Sequence, residues 1–573
     1  MTPNALDDLL QRTLAFGRKY SDPDGRMRDP YETEYGENFA PACFSVVAAA
    51  HHRLHGRPED LDWVGRWSRR SAAIMRESPY LREYMLGYTA MIFGLLKPSP
   101  ELELLRQEYI AASQPEEPLS PLAHILALQL VGDVLCPRGP ASGHRAETIV
   151  GELERLWTPA GFAEDRREGD DGSIPHAYLT VATLGIFLIA RPATEPARAL
   201  QPRIEALIAR ACDWFHRANG NAMIAVQANR SYNQLWVYPL FALLAYAHRG
   251  PRAAVAVERA LAIVNRATGR RERSNFLPTE LSPYASAGNE PYNRVNNDVG
   301  AGGVGWALLA ILQAEGFAGL TARESALAPV FVDAQAGYAF FHGGASGVAM
   351  PIRQHRWRYH YALQPAWVVV AGAEVPLVGA KRSGVNNPYA NLLKDPARVS
   401  PLLEPYFGVM ASKDGTFHVM QEPVEARPDN VFCATLRPEG SSLETAAAPA
   451  RVSVQVMVEA NVLALTYRIL GEPPGELWLS VPVLLWDGTH ELQYRIEGPA
   501  VALGWAGRKI SLRADALDGD SDNQAGRGIL AGPWTLRRER FLQTGFGVTG
   551  NFAIALGQTR AVRVRLECTE NNL

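Results

Sequence analysis

The pattern of apolar and polar positions changes near residue 330 of this 573-residue chain. Before that point, long segments repeat apolar positions every three to four residues. After it, short runs alternate, as in "RVSVQVMVEANVLALTYRIL" over 451–470. The first pattern is typical of amphipathic helices and the second of half-buried strands. The sequence therefore predicts a helical domain over 1–325 and a β-rich domain over 326–573.

The helical half is predicted to consist of helix pairs of about 45 residues each, as in helical-repeat proteins. The second helix of each pair is apolar nearly all round. These second helices are predicted to begin near Asn38, Leu81, Pro121, Pro175, Tyr232 and Asn297. The first helices carry a charged stripe, as in "ETIVGELERLW" at 147–157. A helix that is apolar on all sides is buried and a striped one faces water, so the alternation predicts an (α/α)6 toroid. A helical array that does not close is the alternative.

The C-terminal half carries short alternating runs such as "GYAFFHGG", "GTFHVMQEP", "ELWLSVPVLLW" and "AVRVRLE", separated by turn residues. This pattern is typical of antiparallel strands packed as a sandwich. The predicted fold class is thus multidomain α+β, with an N-terminal (α/α)6 toroid followed by a C-terminal antiparallel β-sandwich.

Charge and cysteine usage narrow the range of functions. A net charge of −3 gives no electrostatic reason to bind nucleic acid or an anionic membrane, and no uninterrupted apolar run reaches membrane-spanning length. The first residues are typical of an amphipathic helix and not of a secretion signal. We therefore expect a cytoplasmic protein or one whose signal has been removed.

The cysteines are widely spaced, which predicts buried free thiols and neither a disulfide framework nor a zinc site. They are Cys43, Cys136, Cys212, Cys433 and Cys568.

Polar side chains crowd the starts of the predicted inner helices. Inner helices of a toroid run parallel, so these starts would meet on one face, where helix N-termini also favour anions. The residues concerned are Glu34, Tyr35, Asn38, Arg82, Glu83, Tyr84, Ser120, His124, Asp170, Asp171, His176, Tyr178, Asn229, Arg230, Tyr232, Asn233, Tyr292, Asn293, Arg294, Asn296, Asn297 and Asp298. Such a groove suits a uronic-acid or sulfated sugar, and the predicted partner is an anionic polysaccharide or oligosaccharide. The alternative is that the Asp, Asn and Ser residues only cap helices.

Two further segments are candidates for sugar binding. The loop over 274–297 is long, polar and aromatic, which in a compact domain is commonly functional, and it contains Tyr284 and Tyr292. Early in the β half, alternation places Arg356, Arg358 and His360 on one face of a strand, close in sequence to His342. That basic strand either binds acidic sugar or forms a solvated sheet face.

The segment "DDGSIPH" at 170–176 is similar to the "DGSF-x-QH" loop that supplies the catalytic histidine in the chondroitin AC/hyaluronate lyases. With the predicted architecture, the chain resembles the (α/α)-toroid polysaccharide lyases, either that group or the heparinase II/III-like group. The resemblance implies that His176 is catalytic. Tyr178 does not have the spacing of the family's catalytic tyrosine, so that role falls to Tyr232, Tyr284 or Tyr292.

The implied reaction is β-elimination next to a uronate. Asn or Arg neutralises the carboxylate, His or Tyr removes the C5 proton, and Tyr protonates the leaving oxygen. The resemblance implies no metal and no cofactor. The predicted catalytic residues are His176, Arg230, Tyr232, Asn233, Tyr284 and Tyr292. The predicted substrate-binding residues are Arg82, Glu83, Tyr178, Asn229, Trp236, Asn293, Arg294, Asn297, His342, Arg356, Arg358 and His360.

Three other functions stay open at this point. An (α/α)6 glycoside hydrolase would use paired carboxylates, drawn from Glu83, Asp170, Asp171, Glu290 and Asp298. A carbohydrate-binding protein would use the polar helix ends without turnover. A terpene-cyclase-like toroid is disfavoured by the polar Tyr, Asn and Arg character of those ends.

Overall fold

The computed structural model describes most of both halves of the chain. The described residues are 4–28, 37–113, 118–139, 141–161, 195–219, 295–315, 328–353, 362–365, 367–374, 406–438, 450–486, 491–505, 507–517, 530, 532–537, 543–544 and 547–569. Among them, 4–216 and 295–315 form one compact unit, and 217–219 and 328–569 form a second.

The described part of the first unit is helical. Its helices are α1 (Asn4–Lys19), α2 (Ala40–His55), α3 (Pro58–Glu77), α4 (Pro79–Leu95), α5 (Pro100–Ala112), α6 (Ala123–Leu135), α7 (Ala141–Leu156), α8 (Glu195–Asn219) and α9 (Val295–Ala314). The last residues of α8, from Arg217 onward, are grouped with the second unit. Helices α2, α4, α6 and α9 begin within two residues of the predicted positions, which confirms those four predictions. The starts predicted near Pro175 and Tyr232 lie outside the described residues.

Helices α4 and α6 lie side by side and run parallel. A Cβ atom placed on Gly87 of α4 would lie 2.6 Å from Cβ of Leu128 on α6. One placed on Gly94 would lie 3.1 Å from the side chain of Leu135. The contact advances by the same seven residues on each helix, so the two helices point the same way.

Helices α2 and α9 are parallel neighbours in the same sense. A Cβ on Gly300 would lie 2.9 Å from Cβ of Cys43, and a Cβ on Gly303 would lie 2.9 Å from the Val47 side chain. Helix α2 also runs parallel to α4, because Phe39 at its start stacks on Tyr84 near the start of α4, and Arg53 near its end donates to the Gly94 and Leu95 carbonyls at the end of α4. Four helices therefore share one direction, although α2 ends at residue 55 and α9 begins at residue 295.

Burial separates these four helices from their neighbours. Every residue from Ala40 to His51 of α2 and from Ala123 to Val134 of α6 is buried. By contrast, α3 and α7 bury one face and expose charged residues on the other. A helix that is apolar all round needs neighbours on every side, and a striped helix can cover it. The predicted alternation of buried and striped helices is confirmed in the described residues.

The second unit contains two antiparallel sheets. Its strands are β1 (Val330–Asp333), β2 (Tyr338–Gly343), β3 (Ser346–Pro351), β4 (Trp367–Val370), β5 (Ala373–Glu374), β6 (Gly408–Lys413), β7 (Thr416–Arg427), β8 (Val431–Pro438), β9 (Ala450–Val458), β10 (Val462–Gly471), β11 (Glu476–Trp486), β12 (Gln493–Glu497), β13 (Ala500–Trp505), β14 (Arg508–Ala516), β15 (Thr535–Arg537), β16 (Gln543–Thr544), β17 (Gly547–Ala555) and β18 (Ala561–Thr569). Strands β1 to β5 pair in chain order. The larger sheet has 13 strands in the order β12-β13-β14-β18-β10-β9-β8-β7-β6-β11-β17-β15, with β16 also pairing β17.

The two sheets contact each other near β2 and β9. Phe341 on β2 meets Phe432 of the larger sheet edge to face, with ring centroids 5.9 Å apart. Gly343 approaches the larger sheet so closely that a Cβ there would lie 2.3 Å from the Val458 carbonyl oxygen. Only glycine fits such a backbone-to-backbone approach.

The antiparallel strands predicted for this half are confirmed. Strand pairing describes each sheet by itself and does not show how two sheets pack face to face. The sandwich arrangement therefore stays a prediction. The strand expected to carry Arg356, Arg358 and His360 lies outside the described residues.

The thiols of the described cysteines follow the sequence prediction. Cys43, Cys136, Cys433 and Cys568 are buried and free. Burial raises the pKa of the Cys136 thiol to about 12, so this group stays protonated and unreactive at neutral pH.

Among the described helices, none combines the length and apolar character needed to cross a membrane.

Candidate functional site

The N-terminal ends of α2, α4, α6 and α9 form what we call the rim. Phe39 directly precedes α2, Tyr84 lies in the second turn of α4, His124 is the second residue of α6 and Asn297 is the third residue of α9. Because the four helices are parallel neighbours, these residues lie at the same end of the helical unit. The shared direction of these four helices agrees with the arrangement expected for inner helices, and the joining of their polar ends into one substrate site stays a prediction.

Tyr84 and His124 form the best-defined polar pair of the rim. The Tyr84 hydroxyl lies 3.2 Å from Nε2 of His124, within hydrogen-bonding distance, and the two ring centroids are 5.7 Å apart. His124 is almost fully buried and Tyr84 is half-buried. A phenol hydrogen-bonded to an imidazole can pass a proton in either direction, which suits general acid–base chemistry.

An aromatic surface supports this pair from the side of α2. The Phe39 ring stacks on Tyr84 at 5.3 Å and on Tyr88 at 6.0 Å. Burial, with a contribution from Cys43, holds the pKa of Tyr88 well above its usual range. Burial likewise raises the pKa of the Cys43 thiol. Both groups stay neutral, so the Tyr84–His124 pair rests against an uncharged, mostly aromatic wall.

Asn297 is fully buried, and neither its amide oxygen nor its amide nitrogen has a hydrogen-bond partner in the structure. Leaving a buried polar group unsatisfied costs about 1–3 kcal/mol. Buried groups of this kind are uncommon in folded proteins and call for a specific reason. A ligand that reaches the start of α9 would supply the missing partner.

Three of the helix starts at the rim have no side-chain cap. Neither Phe39 before α2, Ser78 before α4 nor Leu122 before α6 makes a side-chain cap. The outer helix α5 is capped, since the Ser99 hydroxyl accepts from the Leu102 amide at 3.1 Å. The outer helix α3 has no side-chain cap either, so the missing caps are not specific to the rim, whose helix starts favour anions through the helix dipole.

Asn38, just before α2, has an unusual backbone conformation. It has a φ of +38°, a conformation that non-glycine residues seldom adopt. The Ser120 hydroxyl serves the local backbone, because it accepts from the Leu122 amide at 3.2 Å just before α6.

An ion pair anchors the segment before α2. Both Glu37 oxygens accept from Arg70 Nε, at 2.9 and 2.7 Å. Glu37 also accepts from the Met27 amide at 3.0 Å, and its hydrogen bond with Arg70 raises the pKa of the guanidinium. The segment that carries Asn38 and Phe39 is therefore tied to the outer helix α3.

Four of the predicted site residues lie in the described part of the chain. Arg82 is buried, and its Nε donates to the Met75 carbonyl at 3.0 Å, which ties α4 to α3. Glu83 lies in α4. Asn297 is at the rim. His342 lies on β2 in the second unit, where its Nε2 pairs with the Arg217 carbonyl at 2.7 Å. A role in substrate binding stays a prediction for all four.

The other predicted site residues lie outside the described residues, and their roles stay predictions. They are His176, Tyr178, Asn229, Arg230, Tyr232, Asn233, Trp236, Tyr284, Tyr292, Asn293, Arg294, Arg356, Arg358 and His360.

Tyr84 and His124 were predicted from the sequence to be polar residues at helix starts, but neither was assigned a catalytic or substrate-binding role. The signal was their placement near the starts of two consecutive apolar helices. Recognising them as a pair also requires the register between α4 and α6, which the close approaches of Gly87 and Gly94 establish.

Comparison with solved structures finds the same fold. The chain is similar to the crystal structure of heparinase III, with a TM-score of 0.50 and 10% identity, covering 99% of this chain and 84% of that chain. It is also similar to heparan sulfate lyase from Pedobacter heparinus, with a TM-score of 0.45 and 10% identity over 100% and 84% of the two chains. For Streptomyces coelicolor A3 chondroitin AC lyase the TM-score is 0.46 and the identity 11%, over 100% and 80%.

No protein-family model matches the chain, and no curated protein matches it significantly by sequence. At about 10% identity the structural likeness establishes the fold alone. At that level, the resemblance to the toroid polysaccharide lyases predicted from the sequence is confirmed.

Proposed function

We propose that this chain is a polysaccharide lyase that cleaves a uronic-acid-containing glycan by β-elimination. The observation that carries the proposal is the Tyr84–His124 hydrogen bond at the common end of four parallel helices. The fold shared with heparinase III supports the class of enzyme, although a fold by itself does not determine a reaction.

The first requirement of the reaction is to make the C5 proton of the uronate acidic enough to remove. That requires a hydrogen-bond donor that offsets the negative charge of the carboxylate, because an uncompensated carboxylate disfavours the additional negative charge that develops when C5 loses its proton. The Asn297 amide, buried and without a hydrogen-bond partner, can donate to a carboxylate oxygen. The starts of α2, α4 and α6 also favour negative charge through the helix dipole, and such pre-oriented dipoles stabilise developing charge.

The second requirement is an acid–base pair. In the proposed reaction one member of the Tyr84–His124 pair takes the C5 proton. The electrons of the C5–H bond form the C4=C5 double bond, and the C4–O bond to the leaving sugar breaks. The departing oxygen takes a proton from the Tyr84 hydroxyl. No water is consumed, so one product carries an unsaturated uronate.

We extend the proposal to the architecture. The parallel contact of α9 with α2 supports closure of the helical unit as an (α/α)6 toroid, since it joins the last described helix to the first buried one. The packing of β2 on the larger sheet supports the sandwich. The predicted residues outside the described part of the chain, His176 and Tyr232 first among them, remain candidates for the rest of the site.

An ultraviolet absorbance screen tests this function. The full chain is incubated separately with hyaluronan, chondroitin, heparin, alginate, glucuronan and ulvan, and the unsaturated-uronate band is followed along with new reducing ends. Growth of both signals with one polymer is expected, and it would identify the substrate class.

New reducing ends without the absorbance band would contradict a lyase and indicate a hydrolase. Saturable binding of a polymer without either signal would indicate a carbohydrate-binding protein.

A further inference from the structure

A second cluster of titratable side chains lies on α1 and α2, away from the rim. Asp7 of α1 and His51 and His55 of α2 bring one oxygen and two ring nitrogens within 4.8 Å of one another. The two histidines are four residues apart, so they share one helix face. Twelve residues of helix separate His51 from Phe39, a distance of about 18 Å along the axis.

His51 is held in the orientation of a metal ligand. Its Nδ1 lies 2.7 Å from Oδ2 of Asp60, and Oδ1 of Asp60 pairs with Arg18 at 2.5 Å. A carboxylate paired with a guanidinium acts as an acceptor, so Nδ1 of His51 carries the hydrogen. In the neutral ring this leaves Nε2 with an unshared electron pair, the arrangement that outer-shell carboxylates impose on metal-binding histidines.

Nε2 of His51 has no hydrogen-bond partner, and the residue is only 2% exposed. It faces Oδ1 of Asp7 at 4.0 Å. A buried ring nitrogen aimed at a carboxylate that it does not reach leaves space for an atom between them.

Asp7 and His55 complete the donor set. Oδ1 of Asp7 lies 2.6 Å from Nε2 of His55, while Oδ2 of Asp7 accepts from Gln11 Nε2 at 3.0 Å. The side chains of Asp7 and His55 are each 33% exposed, which leaves an entry path and room for a water ligand. Asp7 and His51 thus each have an outer partner that fixes their orientation.

The spacing fits a small divalent ion. Tetrahedral zinc with ligands at about 2.0–2.2 Å places neighbouring ligand atoms about 3.3–3.6 Å apart. The two distances from Oδ1 of Asp7, 2.6 Å to Nε2 of His55 and 4.0 Å to Nε2 of His51, lie on either side of that range. A shift of the half-buried Asp7 carboxylate by about 1 Å would equalise them.

We propose that Asp7, His51 and His55 form a binding site for a first-row divalent transition metal, for which Zn²⁺ is the natural probe. Two imidazoles and one carboxylate suit such ions better than Mg²⁺ or Ca²⁺, which prefer all-oxygen sites. The ion would join the N-terminal half of α1 to the C-terminal end of α2. Its role is structural and independent of the chemistry at the rim.

Metal titration of the untagged full chain tests the site. After treatment with EDTA and dialysis, Zn²⁺ binding is measured by calorimetry, and Co²⁺ binding by its visible ligand-field absorption. We expect one equivalent to bind to the wild-type chain. His55→Gln and Asp7→Asn, both on half-exposed residues, should each weaken Zn²⁺ binding at least about tenfold.

His52→Gln is the matched control, because His52 neighbours both ligands but pairs with the Arg57 carbonyl instead. It should bind Zn²⁺ as the wild type does. Zn²⁺ should also raise the Tm of the wild type and of His52→Gln but not of His55→Gln. The site is refuted by a wild-type chain that binds no Zn²⁺, by equal affinity in all variants, or by a Co²⁺ spectrum with thiolate charge-transfer bands.

Discussion

Tyr84 and His124 share a hydrogen bond across the α4–α6 contact, and the Tyr84 hydroxyl is the atom on which the proposed chemistry depends. Tyr84→Phe removes that hydroxyl but keeps the ring that stacks on Phe39. Loss of a general acid or base typically lowers turnover about 10²–10⁴-fold. We expect kcat to fall by that order, measured as the rate of unsaturated-uronate formation.

His124→Gln should have a comparable effect. The control is Tyr494→Phe, since Tyr494 is 46% exposed on β12 in the second unit. Full activity in Tyr84→Phe would remove this pair from the proposed mechanism.

Asn297 allows activity to be separated from stability. Asn297→Leu replaces a buried amide that has no hydrogen-bond partner by an apolar group of similar size. Removing an unsatisfied buried polar group relieves about 1–3 kcal/mol, so we expect an unchanged or higher free energy of unfolding together with loss of activity. Urea unfolding and the absorbance assay measure the two quantities. A variant that keeps its activity would exclude Asn297 from carboxylate recognition.

Local sequence predicts only part of the candidate site at the rim. Chemistry and placement at a helix start were visible for Tyr84, His124 and Asn297 from the sequence. The hydrogen bond between the first two, and the absence of one at Asn297, depend on the register between helices, which no local pattern encodes. The sequence analysis did not single out Asp7, His51 and His55, because these residues come together only through the packing of α1 on α2.

At the scale of elements, the close approach of α4 and α6 depends on glycine. A Cβ at position 87 would lie 2.6 Å from Cβ and 2.8 Å from Cα of Leu128. The backbone cannot move aside cheaply, and overpacking of this kind costs about 1–3 kcal/mol. We expect Gly87→Ala to lower the midpoint of thermal unfolding followed by the helix signal in circular dichroism.

Gly143→Ala is the matched control, because nothing lies within 4 Å of a Cβ at that position of α7. There alanine should stabilise the protein by about 0.5–1 kcal/mol through its higher helix propensity. Equal effects of the two substitutions would contradict the α4–α6 contact.

A buried charge links α6 to α7. Asp133 is fully buried and accepts from Arg138 at 2.8 Å and from Arg145 at 2.9 Å. Removing one member of a buried ion pair strands the other charge and costs about 3–5 kcal/mol. We expect Asp133→Ala to lower the free energy of unfolding by about that amount, measured in urea.

Glu103→Ala provides the comparison, since the Glu103–Arg106 pair lies on the exposed surface of α5. It should leave the urea midpoint nearly unchanged. A similar loss in both variants would show that the burial of Asp133 does not matter.

Elements were the most predictable level of this fold. The apolar runs starting near residues 38, 81, 121 and 297 gave α2, α4, α6 and α9, because a run apolar on all sides can fold as little else than a buried helix. The run over 451–470 gave β9 and β10. Alternation did not reveal that β18 inserts between β14 and β10, or that β11 joins β6 to β17, because strand order depends on pairing between distant segments.

At the scale of the molecule, each unit has its own set of buried apolar residues, carried by helices in the first unit and by strands in the second. Chains with two cores commonly depart from two-state unfolding. We expect the calorimetric enthalpy of unfolding to exceed the van't Hoff enthalpy, with Gly87→Ala lowering only the transition of the helical unit. If the wild type and Gly87→Ala each showed a single transition, with equal calorimetric and van't Hoff enthalpies, the two units would unfold together.

The contact between α2 and α9 has a consequence for how the protein is made. Helix α2 is buried on all sides from Ala40 to His51, yet one of its neighbours begins only at residue 295. At about 5–20 residues per second, a ribosome needs roughly 10–50 s to reach that neighbour after finishing α2. During that interval the apolar helix α2 lacks the contact with α9 that it has in the finished protein. Yield in a cell should therefore depend on chaperones that shield nascent chains, even if the finished protein is stable.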